Sequence, residues 1–516
     1  MESSGASSST KIPSDSKDPE RFFSTDSLKS DLKGRAVRGG ALMITSEIVK
    51  QALWMVVLVV MSRLLTPRDN GLIAMVVVVT GCIDLFRDLG LAGATIQRAE
   101  INQQQISTLF WINLAVSIGL TLLTMALAPA IAWFYGEPLL VWITVAISTG
   151  FIFSGLTVQH RALLRRQMHF RSLAGIDMMA AVFNTVVGIA AAMAGLGYWS
   201  LVLMRLASTP LELLAVWLAC PWRPGRPTRA SGVRSMLAFG GNLTGSRLVQ
   251  YLMRNIDNLL IGRLYGPQQL GLYARAYALM LLPLQRINTP ITGVAIPTLS
   301  KLVDSPERYR KAYADITAKV CLLTMPLVAF MVGTSDWLVL VLLGPQWIEA
   351  SEIFTWLGLS ALIEPFTVTT AWLFVSQGRV RQQLHWALIS STLMVTAIIA
   401  GLPWGPVGVA ASYGLVSLCI RTPLLLRYVG REGPVRTGDL YRGVAPFACA
   451  ACITVLAIFA FRQWAQVDNV LIGLVVASVT TGVVTLLTLV ILPSGRTAIR
   501  DLRSIVMLLL NRKLAA

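Results

Sequence analysis

The sequence predicts an all-α membrane protein of about fourteen transmembrane helices, built as two pseudo-symmetric six-helix lobes followed by two further helices. Three observations predict it. The chain is 55% hydrophobic and only 14% charged, with a mean hydropathy of +0.64. A soluble globular protein carries nearer a quarter of its residues as charges. Apolar runs of about 20 residues, enough to cross the hydrocarbon core, recur from end to end. The third observation is a repeat: Ser62-Arg63-Leu64-Leu65-Thr66-Pro67-Arg68-Asp69-Asn70-Gly71-Leu72 returns as Gly262-Arg263-Leu264-Tyr265-Gly266-Pro267-Gln268-Gln269-Leu270-Gly271-Leu272. The two copies are 200 positions apart, and the register holds without a gap from Gly40 against Gly240 to Gly93 against Gly293. Each copy sits between two apolar segments, so the second half repeats the first.

In chain order, the apolar runs place spans at 39–64, 70–95, 105–130, 139–158, 172–195 and 198–220. These form an N-terminal lobe over 39–220. A basic cytoplasmic linker follows at 221–234. The second lobe, 235–428, holds spans at 235–263, 268–298, 312–333, 352–377, 384–401 and 406–428. Of these, 235–263 and 268–298 are the most heavily charged. The stretch from Trp337 to Trp347 has the length and aromatic content of a short interfacial helix. Spans at 444–463 and 469–492 complete the two additional helices of region 429–492. Residues 1–38, rich in Ser, Asp and Lys, have no apolar core and read as a disordered cytoplasmic tail rather than a signal peptide. Residues 493–516 alternate cations with Ile505, Val506 and Leu508 to Leu510, the pattern of a basic amphipathic helix on the inner membrane surface.

The formal charge of +18 is explained by where the cations lie. Arg161, Arg165, Arg166 and Arg171, then Arg223, Arg226, Arg229 and Arg234, then Lys301, Arg308, Arg310 and Lys311, then Arg379 and Arg381, then Arg431, Arg436 and Arg442 fall in alternate loops. The intervening loops, such as Tyr135-Gly136-Glu137-Pro138 and 401–406, carry almost none. By the positive-inside rule the basic loops and both termini are cytoplasmic. The cations then meet anionic membrane lipids, and no nucleic-acid partner is expected. The six cysteines lie in or at the ends of apolar runs and read as small apolar residues. Cys449-Ala-Ala-Cys452 has redox spacing without the βαβ setting such chemistry needs. There is no phosphate-binding Gly-rich loop before Lys-Ser/Thr. The three histidines His160, His169 and His385 make no metal set. No cofactor, metal or enzymatic activity is expected.

What remains is charge inside the spans, where an ionised side chain costs about 2.5–3.5 kcal/mol at the bilayer centre unless it meets protein or water. Glu47 and Lys50 lie on the first span, Asp84, Arg87 and Asp88 on the second, Asp177 on the fifth, and Arg205 with Glu212 on the sixth. Arg247, Arg254 and Asp257 follow on the seventh, Arg275 and Arg286 on the eighth, Asp315 with Lys319 on the ninth, and Glu364 on the tenth. Counting residues puts Lys50, Arg87 and Arg247 near mid-depth, and Arg254 and Arg275 toward the outer side. Arg421 lies near a cytoplasmic end, free to extend into water, and carries no expected role. For Asp84 with Arg87 and Asp315 with Lys319, helix-to-helix pairing and function are equally good readings. Arg247, Arg254 and Arg275 outnumber the acids around them and suit a phosphate, which a planar guanidinium grips with two bonds. Pro283, Pro290 and Pro297 recur every seven residues down one face, as bends used in a transport cycle or as static kinks.

The chain also resembles a family. The repeat, Asn255-Ile-Asp257-Asn-Leu-Leu-Ile-Gly262 with Leu270-Gly-Leu-Tyr273-Ala-Arg275-Ala, and Ile296-Pro297-Thr-Leu-Ser300 carry the resemblance. So do Leu163-Leu-Arg165-Arg166-Gln-Met-His-Phe170-Arg171 and Gly197-Tyr198-Trp199-Ser200-Leu201-Val202. Over roughly 35–490 these are similar to the polysaccharide-transporter (Wzx-like) branch of the multidrug/oligosaccharidyl-lipid/polysaccharide flippase superfamily. The resemblance implies alternating-access flipping of an undecaprenyl-pyrophosphate-linked oligosaccharide across the bacterial inner membrane, for O-antigen, capsule or exopolysaccharide. It implies the lipid-linked oligosaccharide as partner, with a polysaccharide polymerase and a chain-length regulator beside it. The pyrophosphate is then the ligand of Arg247, Arg254, Arg275, Lys50 and Arg87, while Asp84, Asp257 and Glu364 serve coupling or charge pairing. The 38-residue tail is longer than the family pattern. Two alternatives stay open, a peptidoglycan lipid II flippase and a multidrug cation antiporter. The excess of Arg on the seventh and eighth spans speaks against the antiporter, which would favour an acidic, aromatic-lined cavity. Topology is directly testable: cysteines placed at 165, 226, 308, 379 and 436 should label only from the cytoplasm, and those at 138, 198, 268 and 404 from outside. Labelling of position 226 from outside intact cells would overturn the fourteen-span arrangement.

Overall fold

Inside a bilayer a backbone N–H or C=O has no water to bond, so a spanning chain closes its hydrogen bonds within helices. The computed structural model describes residues 32–88, 93, 95, 96, 101–228, 234–465, 469–492, 495 and 496, and its described elements are helical throughout. We label them α1 (Leu32–Leu64), α2 (Pro67–Asp88), α3 (Gln103–Tyr135), α4 (Leu140–Ser148), α5 (Gly150–Arg166), α6 (Phe170–Met193), α7 (Tyr198–Leu206) and α8 (Ser208–Ala219). There follow α9 (Arg234–Ser300), α10 (Pro306–Gly333), α11 (Ser335–Leu342), α12 (Ala350–Ser376), α13 (Val380–Gly401), α14 (Gly405–Val416), α15 (Thr422–Val429), α16 (Thr437–Trp464) and α17 (Val470–Ile491). Ten described stretches are long and apolar enough to cross a membrane. One of them, Val380–Val429, doubles back at a single turn, Leu402–Trp404, and holds two crossings. With α1 and the two halves of α9, whose charges mask them by composition, the expected fourteen crossings are present.

The chain divides into two compact units. Unit 1 is Met1–Val57, Val79–Ala130 and Val141–Gln250, and unit 2 is Leu58–Val78, Ile131–Leu140 and Tyr251–Ala516. Unit 2 thus holds, besides the second repeat, the C-terminal end of α1, the N-terminal half of α2 and the C-terminal end of α3. The last segment of unit 1 gives way to unit 2 within α9, between Gln250 and Tyr251.

In unit 1, α5 packs on α6 and α8, and α6 on α7. At the end of α3 near Gln103, Phe110, Leu163, Leu164, Leu173 and Trp222 form one buried cluster. His160 is fully buried in it, stacked on Trp217 at 4.7 Å and edge-on to Trp222 at 5.0 Å. The start of the linker is strapped along α3: Trp222 Nε1 donates to Gln103 Oε1 at 2.5 Å and Trp111 Nε1 to Gly225 O at 2.8 Å. In unit 2, α10 packs against α12 and α16, and α12 against α14. Tyr309, Tyr313, Phe366, Trp372, Phe374 and Phe447 lie in its main cluster. The outward faces of α16 and α17 expose Leu456, Val475, Val479 and Leu486, as lipid-facing helices should.

Both copies of the repeat make the same helix–turn–helix by different local chemistry. In the first, α1 ends and α2 starts with a reciprocal cap: Thr66 N–H donates to Asp69 Oδ2 at 3.0 Å, and Asp69 N–H to Thr66 Oγ1 at 3.2 Å. In the second, Gly266 takes φ 78°, open to glycine at no steric cost, and Pro267 starts the next half-helix. The expected break between 263 and 268 is therefore present. Past it, α9 runs through Pro283, Pro290 and Pro297 with no further non-helical backbone. The Trp337–Trp347 stretch is α11 followed by a turn at Pro345–Trp347, with Trp347 buried rather than interfacial. The tail expected over 1–38 lies mostly, and that over 493–516 almost wholly, outside the described residues; α1 already begins at Leu32.

The two C-terminal helices are fastened at one end by charge. Arg462 of α16 meets Asp336 of α11 with two bonds, 2.8 and 2.5 Å, donates to Gly333 O, and lies 4.5 Å over the Trp337 ring. Such a bidentate, ring-backed pair is stronger than an ordinary surface bridge. Asp336→Ala should cost about 1.5–3 kcal/mol, read as a lower unfolding temperature of the detergent-solubilised protein. Adding Arg462→Met to it should cost less than the two single losses together.

Candidate functional site

Candidate site residues are placed first by how far along its own helix each lies from the repeat turns. A rise of 1.5 Å per residue puts Arg254 about 18 Å from Gly266, and Lys50 about 21 Å from Leu64. Arg247 follows at about 28 Å and Arg87 at about 30 Å from Pro67, in the last described turn of α2. Along its own helix Arg254 thus lies nearest its repeat turn, Lys50 next, and Arg247 and Arg87 farthest.

Partners separate the cations further. Within unit 1, Lys50 pairs with Glu47 at 2.7 Å, and Arg87 with Asp84 at 2.8 Å. The Arg247 side chain lies outside the described residues. Within unit 2, Arg254 is exposed and makes no ion pair or hydrogen bond among the described residues. Arg275 is half-buried, and its fork is filled: Nε donates to Asn70 Oδ1 at 3.1 Å, a second nitrogen donates to the same oxygen, and the guanidinium lies 5.8 Å over Trp347. Its partners are an amide oxygen and a ring face, so no carboxylate neutralises it among the described residues.

The acids differ in the same way. Asp257, 5% exposed, has no cationic partner among the described residues: Tyr273 Oη donates to Oδ2 at 2.9 Å and Asn258 N–H to Oδ1 at 2.8 Å. This bond ties the two halves of α9 across the Gly266 bend. Glu364 accepts from Thr367 Oγ1 at 3.0 Å and lies 3.7 Å from Arg421. Arg421 also donates to Ser390 Oγ at 3.0 Å. It does not simply extend into water, as its sequence position suggested; it sits in a π-helical turn, Ser417–Arg421, and meets an acid inside the bundle. Asp315 and Lys319 make no ion pair among the described residues.

Sequence reasoning missed one centre in unit 1. Arg161 of α5 bonds Asp177 of α6 and Glu212 of α8, the latter at 3.2 Å. Ser208 Oγ donates to Glu212 Oε1 at 3.2 Å and accepts from Asn184 Nδ2 at 2.9 Å. The sequence placed Arg161 in a basic loop because the span was ended at 158. The helical stretch runs on to Arg166, so Arg161 lies on the helix rather than in the loop, within reach of the acids at 177 and 212.

An all-helical, multi-pass bundle with paired and unpaired charges at depth is the architecture of a membrane transporter. The chain belongs to a family of polysaccharide biosynthesis proteins, whose profile matches residues 60–352, more than half of it. It is 28% identical over 335 residues to the teichuronic acid biosynthesis protein TuaB of Bacillus subtilis (strain 168), covering 64% of this chain and 69% of that one. To the lipopolysaccharide biosynthesis protein WzxC of Escherichia coli (strain K12) it is 24% identical, over 80% of this chain and 83% of that one. Among solved structures it shares its fold with the lipid II flippase MurJ in an inward closed conformation. The TM-score is 0.70 at 14% identity, over 87% of this chain and 98% of that one. It is thus a Wzx-like polysaccharide-biosynthesis transporter of the flippase superfamily.

The Arg161 centre gives a stability prediction. Arg161→Met leaves Asp177 and Glu212 without their cation and should cost about 3 kcal/mol or more, seen as loss of folded protein from membranes. Asp177→Asn keeps the Glu212 pair and should cost about 1 kcal/mol.

Proposed function

We propose that this transporter moves an undecaprenyl-pyrophosphate-linked oligosaccharide repeat unit from the cytoplasmic to the outer leaflet of the bacterial inner membrane by alternating access. The unit is then polymerised into O-antigen, capsule or exopolysaccharide, with a polymerase and a chain-length regulator as downstream partners and both termini of this chain in the cytoplasm. The observation that carries the reading is Arg254, an exposed guanidinium about 18 Å along its helix from the Gly266 turn, with no ion pair among the described residues. An unpaired cation there is stabilised by an anion, and a guanidinium matches pyrophosphate with two bonds. Lys50 and Arg87 of unit 1 have weaker claims to an anion, because each is already held by the carboxylate three residues before it, Glu47 and Asp84; Arg247 is a candidate by sequence. We assign Arg275 to the contact with Asn70 instead. Of the acids, Asp84 and Glu364 serve charge pairing, and Asp257, which has no cationic partner among the described residues, is the one suited to coupling. Relatives named for teichuronic acid and lipopolysaccharide biosynthesis support a substrate of this class.

Complementation of polymer production in a flippase-deficient strain tests the reading, with membrane levels checked by blot. Arg254→Gln removes a charge-assisted contact of about 1.5–3 kcal/mol and should lower polymer output about tenfold or more. Arg254→Lys should restore only part of it, because the two-bond geometry is lost. Undiminished polymer from a variant with Gln at both 247 and 254 would remove the anion reading. Rescue of a strain lacking its lipid II flippase, with no polymer rescue anywhere, would move the substrate to lipid II.

A further inference from the structure

The two copies of the repeat turn meet each other within unit 2, and they meet through backbone. A Cβ added at Gly71 would stand 1.6 Å from Pro267 O, and one added at Gly271 would stand 1.9 Å from Pro67 O. Gly71 and Gly271 are the same position of the repeat, as are Pro67 and Pro267. The contact is therefore reciprocal: each Pro-x-x-x-Gly stretch seats its glycine on the other's proline carbonyl, as small residues let helices approach in membranes. Around this seam the polar ties are one-sided. Arg275 bonds Asn70, whereas the repeat equivalents are Met75 and Leu270, both packed against Gly262. Trp347 Nε1 and Gln346 Nε2 donate to Ser62 O at 2.7 and 2.8 Å, and Arg63 donates to Val341 O at 2.6 Å.

We propose that this reciprocal Pro-x-x-x-Gly seam, latched by Arg275 on Asn70, is the outer gate of the transporter. The inference rests on the alternating-access reading above, which requires the outer side to part once per cycle. A seam of glycine against carbonyl separates without unlocking interdigitated side chains. The ties around it lie by the loops expected outside, where water replaces each broken bond. A permanent strut would instead stay shut through the cycle.

The test uses the full-length protein in cells, with Asn70→Cys and Arg275→Cys together and a short membrane-impermeant bismaleimide; single-cysteine controls report any bridging through the native cysteines. Crosslinking should appear, and polymer output of the same cells should fall about tenfold as the bridged fraction nears completion. A largely bridged population that still exports at its starting rate would make the seam a strut and overturn the proposal, as would absence of any bridge. A second arm needs no export. Gly271→Leu should prop the seam apart and raise labelling of a cysteine at 70 by an impermeant maleimide; unchanged labelling would also overturn the gate. If the wild-type chain restores no polymer in any strain, the transport reading fails while the labelling arm still reports on the seam.

Discussion

A guanidinium or carboxylate within a bilayer must be met by an opposite charge, a polar group or water, and much of this chain's arrangement follows from how each is met. Arg161 draws α5, α6 and α8 together because two acids on different helices share it. Arg421 does the same between α12 and the π-turn, and Arg462 fastens α16 to α11. These pairs fix rotation about helix axes, which apolar packing against lipid leaves weakly determined. Once those rotations are set, the few charges left without a protein partner stand out.

That division also separates structural from transport chemistry. A cation already satisfied by a carboxylate binds a substrate anion only by exchanging one partner for another, at little net gain. Arg254 has no ion pair to give up among the described residues, so an anion there would displace only water. Asp257 is the acidic counterpart, held by a phenol and a backbone amide instead of by charge. One turn of helix thus carries both, one facing out and one buried.

The spans were legible because hydrophobic run length is a one-dimensional property, and the repeat turns because Gly and Pro act locally. The bend at Gly266 and the pairs Glu47–Lys50 and Asp84–Arg87 needed only spacing. The contacts of Arg161, Arg421 and Arg275 were missed for a shared reason: their partners are 16 to 205 residues away in sequence, and no local pattern encodes which helices become neighbours. The helix around Arg87 begins at Pro67, three residues before the expected span, so Arg87 sits in its last described turn. Asp315 and Lys319 show the converse, since correct i,i+4 spacing did not produce a bond.

The unequal turns of the repeat carry a historical consequence. An internal duplication is an experiment in which one ancestor was copied and each copy then drifted. Thr66 and Asp69 build a hydrogen-bonded corner in one copy, while Gly266 and Gln269 occupy the equivalent places in the other and reach the same corner by bare backbone freedom. Meanwhile the proline and the glycine four residues beyond it are identical in both. Drift was free to rewrite how the corner is made, and not where its next turn touches the sister copy. The molecule thus holds within one chain a record of which atoms tolerate no substitute.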